Sequence, residues 1–115
     1  MDCRKEVKDD VIVLAVDGAI DHESAAEFEQ IVIPSLDEAE AAGTGVVFDL
    51  TGVDYVSSVG LRVLMLAAKA AKQKSITVVV AGLQATLAEI FQISRFDKIF
   101  TIYDTADAAV AGVRG

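Results

Sequence analysis

The chain of 115 residues contains one cysteine, Cys3, one histidine, His22, and no tryptophan. A single cysteine excludes an internal disulfide, and we expect Cys3 to be an incidental thiol on a loose terminus. One histidine without neighbouring cysteines does not supply the ligand set of a metal site. No apolar run reaches the roughly 18 residues of a membrane-spanning helix, and the charged N-terminus lacks the apolar stretch of a signal peptide. The sequence therefore predicts a cytoplasmic protein with no bound metal and no membrane insertion.

The residue groupings that carry catalysis are missing as well. His22 stands between Asp21 and Glu23 without a second histidine, and no Gly-x-Ser-x-Gly sequence marks a nucleophile. The glycines at 43 and 45 lack the third glycine of a dinucleotide site, and no Gly-Lys-Ser/Thr follows a glycine-rich loop. We therefore expect neither enzymatic activity nor a cofactor, and we expect His22 to be a surface residue.

Positive charge is scarce in the first half of the chain. Residues 1–60 carry 14 acidic and 3 basic side chains, whereas residues 61–115 carry 4 acidic and 7 basic ones. The net charge of −8 argues against binding to nucleic acid or to an anionic membrane. The bases that follow residue 60 have two explanations, a solvated helix face or a docking surface. They include Arg62, Lys69, Lys72 and Lys74.

Apolar runs of strand length alternate with segments of helical periodicity along the chain. A short edge strand at Val7 and a buried strand at 11–16 predict an N-terminal hairpin, and further strands are predicted at 46–50, 76–81 and 99–103. Helical patterns fill the intervals. This order predicts a single α/β domain, with its core at about 5–112 and helices flanking a mixed, mostly parallel sheet.

Three details concern the ends and the continuity of these helices. Asp21 is a good cap for the first helix, and Ser24 with Glu27 offers a capping box slightly later. Pro34 predicts a kink or a break in that helix, because proline lacks an N–H and clashes with the preceding turn. Asp104 is expected to cap a small C-terminal helix that ends near Gly112.

The central stretch, residues 46–66, passes from a buried strand through a turn into a helix. Ser57 and Ser58 lie where that helix begins, so one of them is a candidate cap, and a phosphate attached there would be favoured by the helix dipole. We expect the inner stripe of the helix to be formed by Leu61, Leu64, Met65 and Ala68. On that basis its outward face contains Val59, Arg62, Leu66, Lys69, Ala70 and Gln73. So many apolar residues outside indicate a contact surface.

The segment Asp54-Tyr55-Val56-Ser57-Ser58-Val59-Gly60-Leu61, placed after an apolar strand, resembles the signature of the STAS domain. That family is named after bacterial anti-sigma factor antagonists and sulfate transporters. Gly18-Ala19-Ile20-Asp21 is similar to the Gly-x-Leu/Ile-Asp turn of the family. In the antagonist branch, the serine two residues before the Gly-Leu pair is phosphorylated, and this position is Ser58 here. Ser57 stands where that branch commonly has aspartate, and it is the second candidate acceptor.

The resemblance implies a partner-switching protein. An unphosphorylated antagonist binds an anti-sigma factor that has serine-kinase activity, phosphorylation of Ser58 disables binding, and a serine phosphatase restores it. The implied partner-binding residues are Asp21, Ser57, Val59, Arg62, Leu66 and Lys69. We expect a monomer or a weak dimer. The alternatives are a STAS module of a transporter or scaffold complex that is never phosphorylated, and an enzyme of a hydrolase-like or flavodoxin-like class.

Overall fold

The computed structural model describes residues 1–115 and contains a five-stranded sheet with four helices. The strands are β1 (Asp2–Lys8), β2 (Val11–Asp17), β3 (Val46–Gly52), β4 (Val78–Ala81) and β5 (Thr101–Tyr103). The helices are α1 (Ala25–Ala42), α2 (Ser58–Lys74), α3 (Ala85–Ile93) and α4 (Ala106–Arg114), and a 3-10 turn occupies Phe96–Lys98. None of these helices has both the length and the apolar character that crossing a membrane requires.

The strands lie in the sheet in their order along the chain, β1-β2-β3-β4-β5. β1 and β2 form an antiparallel hairpin, and the three remaining neighbouring pairs are parallel. The hairpin turn is Asp9-Asp10, and both residues have positive φ, which is the geometry of tight two-residue hairpin turns. The predicted mixed, mostly parallel sheet with an N-terminal hairpin is therefore confirmed.

Apolar side chains cover both faces of the sheet. One face packs against α1, α2 and α3 in a cluster of 22 buried residues, in which the rings of Phe28 and Phe48 lie 5.9 Å apart. The other face packs against α4 in a cluster of 7 buried residues that includes Val47 and Val110. Burial on both faces explains why β2 and β3 read as continuous apolar runs. The two layers leave the carboxyl end of β3 and the start of α2 at one rim of the sheet.

Several predicted boundaries differ from the structure. β4 begins at Val78, and β5 begins at Thr101 because the preceding residues close a 3-10 turn. Cys3 is not on a loose terminus: it lies half-buried in β1, where burial and then the Glu27 carboxylate raise the pKa of its thiol. The C-terminal helix is capped by Thr105, not Asp104, because the Thr105 hydroxyl accepts a hydrogen bond from the Ala108 N–H at 3.1 Å.

Of the kink or break expected at Pro34, the break is absent, because α1 runs without interruption from Ala25 to Ala42. Pro34 and Gln30 both lie on the exposed side of α1, so water can bond the Gln30 carbonyl that proline leaves without an N–H partner. The Ser35 hydroxyl donates to the Ile31 carbonyl at 2.8 Å on the buried side. The buried positions of α1 hold the helix against the sheet, and this packing outweighs the local cost of proline.

Candidate functional site

The two serines at the start of α2 have different environments. Ser57 is 3% exposed, precedes the first turn, and accepts a hydrogen bond from the Gly60 N–H at 3.1 Å through its side-chain oxygen. Ser58 is the first residue of α2, is exposed, and its hydroxyl makes no hydrogen bond in the structure. The sequence left open which serine caps the helix, and the structure assigns the cap to Ser57. The free, accessible hydroxyl is that of Ser58.

This division predicts different costs for the two alanine substitutions. Ser57→Ala removes an N-cap and is expected to lower the free energy of unfolding by about 1 kcal/mol. Ser58→Ala is expected to change it by less than about 0.5 kcal/mol, because the side chain is exposed and unbonded. Urea unfolding of both variants checks this prediction. A Ser58→Ala cost equal to that of Ser57→Ala would contradict the assignment of the cap.

The segment before α1 is joined by two backbone hydrogen bonds to residues 53–57, the loop between β3 and α2 that we call the serine loop. The Ile20 N–H donates to the Tyr55 carbonyl at 2.9 Å, and the Ser57 N–H donates to the Ile20 carbonyl at 2.8 Å. Ile20 and Val56 thereby form an isolated parallel bridge. The structure thus brings the turn that contains Asp21 beside Ser57 and Ser58, although Asp21 is far from both serines in the sequence.

Asp21 organises the turn that leads into α1. Its Oδ1 accepts hydrogen bonds from the N–H groups of Ser24 at 2.9 Å and Glu23 at 3.1 Å, and the Ser24 hydroxyl oxygen accepts from the Asp21 N–H at 2.9 Å. The Ser24 hydroxyl also donates to Asp21 Oδ1 at 3.0 Å. The bond from the Ser24 N–H first, then that from the Ser24 hydroxyl and that from the Glu23 N–H, hold the pKa of the Asp21 carboxyl below its ordinary value of 3.8. Asp21 therefore caps the turn that leads into α1, whereas the residue at the N-cap of the helix itself is Ser24, whose side chain makes no capping hydrogen bond. The predicted capping box of Ser24 with Glu27 is absent, because Ser24 pairs with Asp21 instead.

The lowered pKa of Asp21 makes a pH-dependent contribution to stability. The ionised carboxylate is favoured in the folded state, so this contribution is present above pH 3.8 and disappears as the pH falls through the lower folded-state pKa. Asp21→Asn keeps an oxygen acceptor but removes the charge. We expect wild type to be more stable than Asp21→Asn at pH 6, with a difference that narrows at acidic pH below about 4.

Urea unfolding at several pH values measures this difference. Asp54→Asn is the matched control, since Asp54 is exposed in the serine loop and its carboxylate accepts no hydrogen bond in the structure. A difference for Asp21→Asn that is the same at every pH would refute the role given to the Asp21 charge.

Gly60 allows α2 to approach this turn closely. A β-carbon at position 60 would lie 2.8 Å from Val56 Cγ1, 2.9 Å from Ile20 Cγ2 and 3.0 Å from the Ile20 carbonyl oxygen. Real β-carbon contacts are longer than this, so any residue other than glycine would force Ile20 or Val56 to shift. Gly60 therefore sets the distance between α2 and the bridge that joins Ile20 to Val56.

The buried side of α2 differs from the predicted one by about one residue, or 100° around the helix. The inner residues are Gly60, Val63, Leu64, Ala67 and Ala71. Of the predicted inner stripe only Leu64 is fully buried, whereas Leu61, Met65 and Ala68 are half-buried. The small residues Gly60, Ala67 and Ala71 permit close packing but carry little apolar surface. The prediction followed the larger apolar side chains and therefore placed the buried stripe one residue too far along the helix.

The exposed side of α2 contains three of the six predicted partner-binding residues, together with Ser58. Ser58, Arg62, Leu66 and Lys69 are all exposed, and we call these four residues the α2 outer face. Leu66 is 38% exposed and gives this face an apolar side chain among charged ones. Val59 and Ala70 are half-buried against the core, so their predicted place on the outside is wrong. Ser57 is buried, so it can support but not form the exposed surface.

The basic residues of α2 divide into two groups. Lys74, at the end of the helix, pairs with Asp37 at 2.6 Å and Glu40 at 3.4 Å on α1, and the hydrogen bond with Asp37 raises the pKa of its ammonium. Lys74 therefore fastens α2 to α1. Arg62, Lys69 and Lys72 are exposed and belong to no ion pair in the structure. α2 has no acidic residue, so its outer face is locally positive on a chain of net charge −8.

Sequence reasoning did not select Tyr55 for this site. Tyr55 is 50% exposed in the loop that leads to Ser57, and its carbonyl accepts a hydrogen bond from the Ile20 N–H. A tyrosine in a short turn between a strand and a helix was the available signal, because such rings are common in protein interfaces. His22 is exposed in the turn before α1, and no group of His, Cys, Asp or Glu side chains in the structure is arranged to hold a metal ion.

Together, the fold and the site define a small α/β domain that presents an exposed serine at the start of a helix with a free basic and apolar face. A family model described as the STAS domain matches residues 2–109, and the chain belongs to the STAS domain family. It is 32% identical over 106 residues to BtrV of Bordetella bronchiseptica, which is named as an anti-sigma factor antagonist. The match covers 92% of this chain and 89% of BtrV.

A second relative is the anti-sigma-F factor antagonist RsfB of Mycobacterium tuberculosis, 34% identical over 106 residues that cover 91% of this chain and 83% of RsfB. The crystal structure of the anti-sigma factor antagonist TM1081 of Thermotoga maritima matches with a TM-score of 0.89 at 21% identity, covering 98% of this chain and 95% of TM1081. The phosphorylated form of SpoIIAA from Bacillus matches with a TM-score of 0.74 at 15% identity, covering 97% of this chain and 99% of SpoIIAA. The two structural likenesses show the shared fold.

Proposed function

We propose that this protein is a cytoplasmic anti-sigma factor antagonist whose binding is switched off by phosphorylation of Ser58. The observation that carries the proposal is that the two serines have different environments. Ser57 caps α2 from a buried position, and the hydroxyl of Ser58 is left exposed and unbonded on the next residue. A kinase can reach Ser58 without unfolding the helix. The names of BtrV and RsfB, which match over most of their length, support the same function.

The proposed partner is an anti-sigma factor that has serine-kinase activity, and the proposed docking surface is the α2 outer face with Tyr55 at its edge. Leu66 and Tyr55 supply apolar area at the contact, and Arg62 and Lys69 attract acidic side chains of the partner. Asp21 supports this surface without forming it. Its carboxylate stabilises the segment that follows Ile20, and Ile20 is hydrogen-bonded to Tyr55 and Ser57 of the serine loop.

The switch needs no change of fold. The kinase transfers the γ-phosphoryl group of ATP to Ser58 Oγ, the hydroxyl proton leaves, and ADP is released. A phosphoserine carries about −1.5 to −2 charges at pH 7. Binding of the partner would then have to remove water from the charged phosphate, which costs free energy. The phosphate would also repel the acidic side chains that we expect on the partner. A serine phosphatase reverses the change by hydrolysis. In this scheme the protein is the substrate of both enzymes, and it acts as a monomer or a weak dimer.

The proposed surface is tested by Leu66→Asp. We expect this variant to keep the wild-type stability within about 0.5 kcal/mol and to lose about tenfold or more in affinity for the cognate anti-sigma factor. Isothermal titration calorimetry measures the affinity, and displacement of the sigma factor from its complex measures the antagonism. Ile33→Asp on α1 is the matched control, since Ile33 is 37% exposed and Leu66 is 38% exposed.

Equal affinities of the Leu66→Asp and Ile33→Asp variants would show that the docking surface lies elsewhere. A wild-type protein that binds no anti-sigma factor, or that binds one without displacing the sigma factor, would contradict the proposed function itself.

A further inference from the structure

Arg62 is a basic residue without a partner, next to a serine without a partner. Five other basic side chains, Arg4, Lys5, Lys8, Lys74 and Arg114, lie within 4.0 Å of a carboxylate. Arg62 does not, and no acidic residue occupies the first turn of α2. Its guanidinium is therefore available to a negative charge that arrives later.

The spacing of Ser58 and Arg62 directs one side chain toward the other. They are four residues apart in a continuous helix and are both exposed, so their β-carbons lie on the same face about one turn apart. Side chains of a helix lean toward its N-terminus, so Arg62 leans over the turn that begins at Ser58. A guanidinium also matches the planar arrangement of two phosphate oxygens, which an ammonium group does not.

We propose that Arg62 captures the phosphate of phosphorylated Ser58, so that modification removes Arg62 from the docking surface as well as adding negative charge to it. This inference rests on the proposed function, because it describes the phosphorylated state of the same site. In the unphosphorylated protein Arg62 faces solvent and is free to meet an acidic partner. After phosphorylation the same guanidinium is held within the chain, and the α2 outer face loses its first positive charge.

The other charged groups near Ser58 act against a dianionic phosphate. Asp21 and Glu23 lie on the turn that is bonded to the serine loop, and Asp54 lies in the loop itself. These carboxylates favour the monoanionic, protonated phosphate, whereas Arg62 favours the dianion. Lys69 lies 11 residues further along α2, about 16 Å from Ser58 along the helix axis, and salt screens most of its effect. The two basic residues can therefore be distinguished by experiment.

The test uses full-length protein with phosphoserine encoded at position 58 during translation, so that no kinase is required. Titration by phosphorus NMR at 0.15 M salt gives the second pKa of the phosphate. We expect Arg62→Gln to raise this pKa by about 0.5 unit, and Lys69→Gln, which removes the same charge, to raise it by about 0.1 unit. Arg62→Lys should keep part of the wild-type shift, because the charge stays and the two-pronged contact is lost.

Equal shifts for Arg62→Gln and Lys69→Gln would overturn the inference, since they would report net charge and not a contact. No shift for either variant would overturn it too. These outcomes are separate from the failure of the proposed function, because the encoded phosphoserine is present whatever the kinase does. A kinase that leaves Ser58 unmodified would end the proposed switch without altering the NMR titration.

Discussion

Gly60→Ala is expected to destabilise the protein although alanine is the better helix former. Alanine in place of glycine within an exposed helix gains about 1 kcal/mol. Here the added β-carbon would meet two methyl groups and the Ile20 carbonyl oxygen at 2.8 to 3.0 Å. Overpacking of this kind costs about 1–3 kcal/mol, and the carbonyl belongs to backbone that is fixed by its bond to the Ser57 N–H. We therefore expect a net loss of about 1–2 kcal/mol, and a larger loss for Gly60→Val.

The measurement is urea unfolding, with Ala70→Gly as the control for helix propensity. Ala70 is half-buried on the same helix, and its replacement should cost about 1 kcal/mol through propensity together with the lost contact of its β-carbon with the core. If helix propensity alone determines the effect at position 60, the Gly60→Ala variant will be more stable than wild type. That result would show that α2 does not rest on Ile20 as closely as described.

Phosphorylation of Ser58 is expected to have the largest effect on binding. We expect the phosphorylated protein to bind its anti-sigma factor about 100-fold more weakly than the unmodified protein, which corresponds to about 2.7 kcal/mol. Ser58→Ala should bind with nearly wild-type affinity and accept no phosphate. Ser58→Asp should weaken binding only in part, because one carboxylate carries a single charge and lacks the third oxygen of a phosphate.

Titration calorimetry of the four forms gives their affinities, and circular dichroism checks that their folds agree. Ser57→Ala is the matched control, since it removes the neighbouring hydroxyl and should still be phosphorylated. Wild-type affinity of the phosphorylated form, with its fold intact, would show that Ser58 is not a switch.

The fold could be predicted largely because its signals are local and repeated. Continuous apolar runs predicted the buried strands β2 and β3. The structure shows why these runs are continuous, because side chains on both faces of the two strands are buried. The sequence also predicts an apolar stripe on α1, formed by Phe28, Ile31, Val32, Leu36 and Ala39. All of these are fully buried except Ile31, which is half-buried. The effect of Pro34 was overestimated because the prediction considered only its local cost to the helix. The packing of the α1 stripe against the sheet offsets that cost. The start of β5 was misplaced because Phe96 and Phe100 both pack against Phe91 before the strand begins at Thr101.

The site could be predicted in part. The serine loop and the start of α2 followed from turn residues and apolar spacing, and the resemblance to the STAS domain selected Ser58. The orientation of α2 could not be read reliably, because its closest contacts are made by Gly60 and by alanines that contribute little to an apolar pattern. The contact between the serine loop and Ile20 is carried by backbone hydrogen bonds, which leave no trace in side-chain composition. The choice between the serines as cap depended on the hydrogen bond that the Ser57 side chain accepts from the Gly60 N–H, which only the structure supplies.

The central claim is that the exposed serine at the start of α2 is the regulatory phosphorylation site. Incubation of the unmodified protein with the cognate anti-sigma kinase and ATP, followed by peptide mapping by mass spectrometry, tests it most directly. The account predicts a single phosphate on Ser58, none on the buried Ser57, and release of the phosphorylated protein from the kinase. A phosphate found on Ser57 in the wild type, or retained on the Ser58→Ala variant, would contradict it.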